Sequence, residues 1–297
     1  MQETILQYFQ DNATPFLDSF FNYATMLGEQ YYIIILITWI YWNVSKKNGF
    51  ILTFTFIISS IVNGFLKNIF HTERPYQKLD SIEGKRIQTG SGYSFPSGHT
   101  QGSTTLFVTL ALILKKNIYM VIAILLSLLV AVSRVYLGVH WPVDVIFGFI
   151  FGIIISFVLY WYLNKIYDNK PLFYRVLVYF LLSAYSIYII LLLINSVYFN
   201  NEYDFGDSIK ILAIATGSFL GFILEERKFP FLVENKISIK IIRFIFGFFV
   251  TIVFLLGLKY LFPEGIIFNA IRYFIVGFWI SAGLPFFGFK MYLFKKE

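Results

Sequence analysis

The chain has 297 residues, of which 58% are hydrophobic, 21% aromatic and only 14% charged. Soluble domains carry about 25% charged residues, so this composition excludes a soluble protein and indicates an integral membrane protein. The formal net charge of +7 does not indicate a nucleic-acid partner, because basic residues collect on the cytoplasmic side of membrane proteins. The absence of cysteine excludes disulfides and thiolate sites.

Apolar runs that are long enough to cross a bilayer, about 20 residues each, recur along the chain. Residues 1–26 mix Leu, Phe and Tyr with acidic residues, which predicts an amphipathic interfacial segment. We predict nine spans, at 28–44, 49–70, 97–114, 118–137, 142–163, 172–198, 208–224, 240–260 and 268–294. The predicted fold class is therefore all-α, a polytopic membrane helix bundle.

The basic residues are divided unequally between the two sides that these spans define. The segments 45–48, 115–117, 164–175 and 225–243, with the C-terminal tail, carry 15 of the 24 Lys and Arg residues. Because basic loops stay in the cytoplasm, we predict an extracytoplasmic N-terminus, a cytoplasmic C-terminus and an extracytoplasmic loop over 71–96.

The first polar stretch on the outer side is KNIFHTERP, residues 67–75. Lys67 and Arg74 are seven residues apart, so they share a helix face if the helix continues. Pro75, however, disfavours a helical conformation at Arg74. The alternative interpretation is a pair of cations at a helix end that extend toward the interface.

The second stretch is GYSFPSGHT, residues 92–100. Ser97 is a good N-cap for the helix that follows. The first amides, at Ser97, Gly98 and His99, then have no acceptor in the helix and form an anion site, with His99 placed to donate a proton. The alternative is an ordinary capped helix that has a histidine at the interface.

The third stretch is SRVYLGVHWPVD, residues 133–144. His140 and Asp144 are four residues apart, so the carboxylate can reach the imidazole and make its far nitrogen more basic. Arg134 ends the preceding span. Ionisable groups in a membrane helix suggest function, although an aspartate that only caps the helix is the alternative.

Together the three stretches place three cations, an anion-binding helix start and two histidines on one side of the membrane. This combination indicates phosphoryl transfer without a metal. Lys67, Arg74 and Arg134 neutralise the phosphoryl oxygens, and the amides of the helix start stabilise charge that develops in the transition state. One histidine attacks, and the other protonates the leaving oxygen.

The pattern K-x6-RP, PSGH and SR-x5-H-x3-D, over 67–75, 96–99 and 133–144, resembles the three signature motifs of the type 2 phosphatidic acid phosphatase superfamily. The resemblance implies a six-helix phosphatase core, which we place at 27–198, and neither metal nor cofactor. It also implies a role for each site residue: His140 as nucleophile, Asp144 orienting it, His99 as general acid, and Lys67, Arg74, Ser97, Gly98 and Arg134 as phosphate ligands.

Two further regions are less informative. Residues 27–42 resemble, more weakly, the first span of sphingosine-phosphate and glucose-6-phosphate phosphatases in that superfamily. Residues 199–297 add three predicted spans of unknown role. Arg272 stands alone there near a helix end, which is typical of a side chain that extends toward the interface or of a topology anchor. His71 has no role that the resemblance implies.

The expected activity is hydrolysis of a lipid phosphate or diphosphate, such as a prenyl diphosphate, a phospholipid phosphate or a sphingoid phosphate. The partners are the bilayer and this substrate, and no feature indicates an oligomer. One alternative is a transferase that passes the phosphate to an alcohol instead of water. Another is an anion or lipid transporter, which is disfavoured because transport sites lie near the middle of the membrane.

Overall fold

The structure is a computed structural model that describes residues 1–90, 92–199, 205–233 and 236–296. Its α-helices are α1 Gln2–Asp11, α2 Pro15–Ala24, α3 Gln30–Asn43, α4 Lys46–Phe70, α5 Pro75–Lys78, α6 Gly98–Leu114, α7 Asn117–Tyr136, α8 Pro142–Ile166, α9 Lys170–Tyr198, α10 Gly206–Lys228, α11 Ile237–Ile252, α12 Leu258–Leu261, α13 Ile266–Phe278 and α14 Leu284–Lys290. The remaining elements are 3₁₀ turns at Thr25–Gly28 and Ile87–Thr89, π-helical turns at Val253–Gly257 and Trp279–Gly283, and a two-stranded antiparallel pair, β1 Phe231–Leu232 and β2 Lys295–Lys296. The predicted helical membrane class is confirmed.

Among the described residues, seven helical stretches are long and apolar enough to cross a membrane. They are Lys46–Lys78, Asn117–Tyr136, Pro142–Ile166, Lys170–Tyr198, Gly206–Lys228, Ile237–Leu261 and Ile266–Lys290. The other two predicted spans are the shorter helices α3, with 14 residues, and α6, with 17. At 1.5 Å per residue these helices reach only about 20–25 Å, less than the ~30 Å of a hydrocarbon core. The count of nine spans therefore stays a prediction.

Two compact units make up the chain: Met1–Ile34 with Thr55–Tyr162, and Ile35–Phe54 with Leu163–Glu297. Helix α6 is the centre of the first unit, and its side chains from Thr100 to Thr109 are buried. Polar contacts join α6 to its neighbours, because Asn63 of α4 donates to Gln101 at 2.9 Å and Ser156 of α8 donates to the Thr105 carbonyl at 3.2 Å. Such hydrogen bonds between helices satisfy polar groups that would otherwise be unpaired in lipid.

The predicted interfacial segment is two helices rather than one. Thr14 interrupts the helix and caps α2, with its hydroxyl accepting from the Leu17 amide at 3.3 Å. On α1, Leu6 is only 1% exposed and packs with Val135 and Trp141 in a buried apolar cluster. The segment 1–29 thus packs against α7 and the start of α8 within the first unit.

Segment 1–29 also holds the 71–96 loop by hydrogen bonds and ion pairs. The amide of Gln10 donates to the Glu83 carbonyl at 2.7 Å. Lys85 contacts Asp18 at 2.5 Å, and Arg86 pairs with Glu29, with 3.0 Å between Nε and Oε1. The described part of the loop is therefore partly buried and bonded to the N-terminal segment.

The second unit is built on close helix packing. A Cβ atom on Gly217 of α10 would lie 2.1 Å from the carbonyl of Phe274 on α13, so only glycine permits this approach. A Cβ atom on Gly277 of α13 would likewise lie 2.4 Å from the carbonyl of Ile214. Small residues at helix interfaces are typical of membrane bundles because they let backbones approach. Buried Arg243 donates to the carbonyl of Leu293 at 2.9 Å and so fixes the C-terminal segment.

Candidate active site

The two cations of the first motif converge on one backbone carbonyl. Helix α4 ends at Phe70, and Arg74 has an extended backbone with φ −79° and ψ 155°, so the shared helix face does not form. The chain instead turns back, and both Lys67 and Arg74 donate to the carbonyl of Tyr93, Arg74 at 3.4 Å. Arg74 is 1% exposed and also donates to the carbonyls of Gly92 at 3.0 Å and Val139 at 2.8 Å. These carbonyls fix the direction of its guanidinium.

The third motif forms a buried histidine–aspartate pair. His140 Nδ1 lies 3.3 Å from Asp144 Oδ2, as the four-residue spacing predicted. The same carboxylate oxygen accepts from Ser94 Oγ at 2.5 Å and from the Trp141 amide at 2.9 Å. This arrangement favours a proton on Nδ1, so the lone pair of the ring is on Nε2 and accepts a hydrogen bond from Arg74. His140 Nε2 lies 3.2 Å from a guanidinium nitrogen of Arg74.

The charge state of His140 follows from its surroundings. Burial, followed by the positive charges of Arg74, Arg134 and Lys67, lowers the pKa of the His140 imidazole well below its usual value. A lowered pKa means that the ring stays neutral at pH 7 and into mildly acidic solution. A neutral imidazole is what a nitrogen nucleophile requires.

The second motif starts helix α6 and contacts the third motif. Ser97 is the N-cap, and its hydroxyl accepts from the Thr100 amide at 3.4 Å. The expectation that the Ser97 amide forms part of the anion site is wrong, since it donates to the Asp144 carbonyl at 3.0 Å. The helix start therefore offers the amides of Gly98 and His99. A Cβ atom on residue 98 would lie 3.2 Å from Asn63 Oδ1, so glycine permits close packing there.

His99 and Arg134 complete the site with atoms that have no partner among the described residues. These are His99 Nε2 and Arg134 Nε and Nη2, all inaccessible to solvent. Arg134 is held through its other nitrogen, which donates to the hydroxyls of Thr25 at 3.0 Å and Thr89 at 3.3 Å. His99 lies within electrostatic range of Arg134, Lys67 and Arg74. Buried donors without partners are costly, and a phosphate would satisfy those of Arg134.

All eight candidate residues thus lie in the first unit, around the start of α6 and the turn between α7 and α8. The sequence did not reveal Ser94, which bonds Asp144, or Thr25, which bonds Arg134, because one serine and one threonine in polar loops form no pattern. Within the described part of the chain, no group of three His, Asp or Glu side chains could hold a metal ion. His71 packs edge-on against Tyr93, with 4.7 Å between ring centroids.

The residues of this site lie in a part of the chain that matches a model of a known protein family. Residues 48–168 match the PAP2 superfamily model, and residues 209–296 match the model of the PAP2 superfamily phosphatase transmembrane extension. All three motifs fall within the first of these regions.

Individual relatives match over about half of the chain. The undecaprenyl-diphosphatase of Sulfolobus acidocaldarius is 31% identical over 150 residues, which are 49% of this chain and 70% of that protein. Phosphatidylglycerophosphatase B of Bacillus subtilis is 29% identical over 170 residues, 52% of this chain and 77% of that protein. The crystal structure of Aquifex aeolicus LpxE aligns with a TM-score of 0.48 at 26% identity, covering 53% of this chain and 93% of that one.

Proposed function

Because this chain belongs to the PAP2 superfamily, a family of membrane phosphatases, we propose that it hydrolyses a lipid phosphate or diphosphate through a phosphohistidine intermediate and without a metal ion. The observation that carries this proposal is the orientation of His140. Its Nδ1 faces Asp144, and its Nε2 lies 3.2 Å from the guanidinium of Arg74. The nucleophilic nitrogen is therefore next to a group that binds phosphoryl oxygens.

In the proposed mechanism, Nε2 of His140 attacks the terminal phosphorus and forms a P–N bond while the bond from that phosphorus to the leaving oxygen breaks. The leaving group is the lipid alcohol of a monophosphate or the lipid monophosphate of a diphosphate. His99 gives its proton to that leaving oxygen, and Asp144 holds the Nδ1 proton of the developing imidazolium. Water then attacks the phosphohistidine, His99 takes a proton from it, and the P–N bond breaks to release inorganic phosphate. The phosphoryl oxygens are held by Lys67, Arg74, Arg134 and the amides of the α6 start, with Ser97 capping that helix.

A lipid substrate is supported by an apolar groove that includes the start of α8. The groove has a volume of about 500 Å³ and is lined only by apolar side chains of α1, α7 and α8, including Phe9, Val132 and Ile146. Pro142, two residues after His140, also lines it. A hydrocarbon tail in this groove would leave its phosphate end near the turn that carries His140. The relatives act, by their names, on undecaprenyl diphosphate and phosphatidylglycerophosphate.

The first prediction concerns substrate and metal. The purified protein in detergent should release phosphate from at least one member of a panel of prenyl diphosphates, phosphatidic acid, phosphatidylglycerophosphate and sphingosine phosphate. We expect the rate to be unchanged by a chelator, because the described site supplies its positive charge from side chains. Long-chain substrates should exceed short-chain ones in kcat/KM, since the apolar groove contributes only when a tail fills it.

Loss of activity with chelator would contradict the metal-free mechanism, and release from no lipid would contradict the proposed substrate class. Addition of a lipid alcohol tests the transferase alternative. Formation of a phosphorylated alcohol instead of inorganic phosphate would show transfer rather than hydrolysis.

The second prediction concerns the side of the membrane, for which we propose an extracytoplasmic site and a cytoplasmic C-terminus from the loop charges. A cysteine at Ser91 of the 71–96 loop would report the side of the membrane, but Ser91 lies outside the described residues. Asp80 in the same loop is exposed and is used instead. In the cysteine-free chain, Asp80→Cys should react with a membrane-impermeant thiol reagent on intact cells. Asn117→Cys, at the exposed start of α7, should react only after lysis. The reverse pattern would overturn the orientation.

A further inference from the structure

Outside the active site, the second unit contains a pocket with a buried arginine. The pocket has a volume of about 360 Å³ and is formed by the starts of α10 and α13 and the connection between α12 and α13. Its lining includes Lys210, Lys259, Glu264, Asn269 and Arg272. Three cations and one carboxylate therefore line one pocket at the ends of helices that are long enough to span a membrane.

Arg272 is the unusual member of this set. It is 8% exposed, and its Nε is inaccessible to solvent with no hydrogen-bond partner among the described residues. Another of its nitrogens donates to Asn269 Oδ1 at 2.9 Å, and its guanidinium lies 5.2 Å from the ring centroid of Tyr273. These contacts orient the guanidinium but involve no carboxylate. Glu264 lines the same pocket, but no carboxylate of the described residues forms an ion pair with Arg272. A buried guanidinium is costly unless an anion pairs with it.

Helix α13 adds backbone donors to the same pocket. It begins at Ile266 after Gly265, which offers no side-chain cap, and both residues line the pocket. The first amides of a helix have no acceptor within the helix and carry a partial positive charge. Anions bind at such helix starts for this reason. Arg272 lies on the same helix and lines the same pocket as Ile266 and Phe268, so a ligand in the pocket can contact the amides and the guanidinium together.

The remaining charges set the character of the site. Lys259 is exposed on α12 and adds a positive charge at the rim. Lys210 forms an ion pair with Asp207 at 2.8 Å, so its positive charge is balanced within the protein. Leu258 and Phe262 also line the pocket and supply apolar surface. The lining therefore suits a ligand that has an anionic group next to an apolar part.

We propose that this pocket binds a phosphate group, such as the head group of an anionic phospholipid, at a second site that is separate from the catalytic one. Arg272 and the first amides of α13 bind the phosphate oxygens, and Lys259 adds electrostatic attraction at the entrance. The phosphate can come from a lipid or from solution. The proposal does not depend on the proposed reaction, because it requires binding only.

Native mass spectrometry of the full chain in detergent tests this proposal with phosphatidylglycerol, which is anionic, and phosphatidylcholine, which is zwitterionic. Wild type should bind phosphatidylglycerol more tightly than phosphatidylcholine. Arg272→Gln should weaken that binding by about tenfold, or ~1.4 kcal/mol, and Lys259→Gln by roughly threefold, as for an exposed charge. Lys228→Gln, at the exposed far end of α10, is the matched control and should bind as wild type does.

Inorganic phosphate distinguishes the two sources. If millimolar phosphate displaces phosphatidylglycerol from wild type, the site also takes free phosphate; if it does not, the site requires the lipid. If phosphate binding, but not lipid binding, falls in Arg272→Gln, the ligand is soluble phosphate. The catalytic site is the same in wild type and in Arg272→Gln, so any phosphate that binds there contributes equally to both measurements.

Equal binding of the two lipids together with unchanged phosphate binding in Arg272→Gln and Lys259→Gln would overturn the proposal. Should the buried substitution prevent folding, the exposed Lys259→Gln decides the question. Because no turnover is measured, a negative result here leaves the proposed phosphatase reaction untouched, and an inactive enzyme leaves this site untouched.

Discussion

Replacing His140 by alanine is expected to abolish phosphate release from every substrate, a loss of at least about 10⁴-fold in kcat, as for other catalytic nucleophiles. Without the imidazole no P–N bond can form, and no neighbouring group replaces it. The site should otherwise stay folded, because Asp144 keeps its bonds from Ser94 and the Trp141 amide. Phosphate release from a lipid phosphate and from p-nitrophenyl phosphate measures the effect.

His71→Ala is the matched control for this substitution. His71 packs on the Tyr93 ring and has no role in the proposed mechanism, so most activity should remain. Wild type quenched during turnover should contain an acid-labile phosphoenzyme that is absent from His140→Ala. A phosphoenzyme in the alanine variant, or its rescue by p-nitrophenyl phosphate alone, would reverse the assignments of His140 and His99.

For His99→Ala we expect a loss that depends on the leaving group. A lipid alkoxide is a poor leaving group and needs a proton, so the rate on a lipid monophosphate should fall by about 10²–10⁴-fold. The p-nitrophenolate ion leaves without protonation, so the loss on p-nitrophenyl phosphate should be much smaller. The burial of His99 Nε2, which has no partner among the described residues, fits a group whose hydrogen bond forms only with substrate.

The ratio of these two losses is the decisive measurement. The phosphoenzyme should still form in His99→Ala when the leaving group is good. Equal losses on both substrates would show that His99 binds the phosphate and does not deliver a proton, which would leave the general acid unassigned.

Local spacing explains which parts of the site were predictable. His140 and Asp144 are four residues apart in the chain, so their contact could be expected from sequence, as could the N-cap at Ser97. The use of the Ser97 amide by the Asp144 carbonyl could not, because it depends on how α6 and α8 pack. Arg74 and Lys67 both donate to the Tyr93 carbonyl. Every residue has a backbone carbonyl, so the sequence does not indicate which one accepts these bonds.

The same reasoning applies to the fold. Long apolar runs predicted the helices of the membrane bundle, since burial in lipid requires them. The sequence does not reveal the pocket around Arg272, because its lining extends from Gly206 to Arg272, 66 positions apart. A site whose residues are that far apart in the chain cannot be predicted from local sequence patterns.

The contacts of segment 1–29 bear on how this protein could be recombined with its relatives. The family model that covers the motifs begins at residue 48, yet Thr25 bonds Arg134, and Asp18 and Glu29 hold the loop that follows Arg74. A chimera cut at the edge of the matched region would transplant the reacting residues without the supports that orient them. The segment to exchange between relatives is therefore larger than the region that the family model matches, and it should include the first 29 residues.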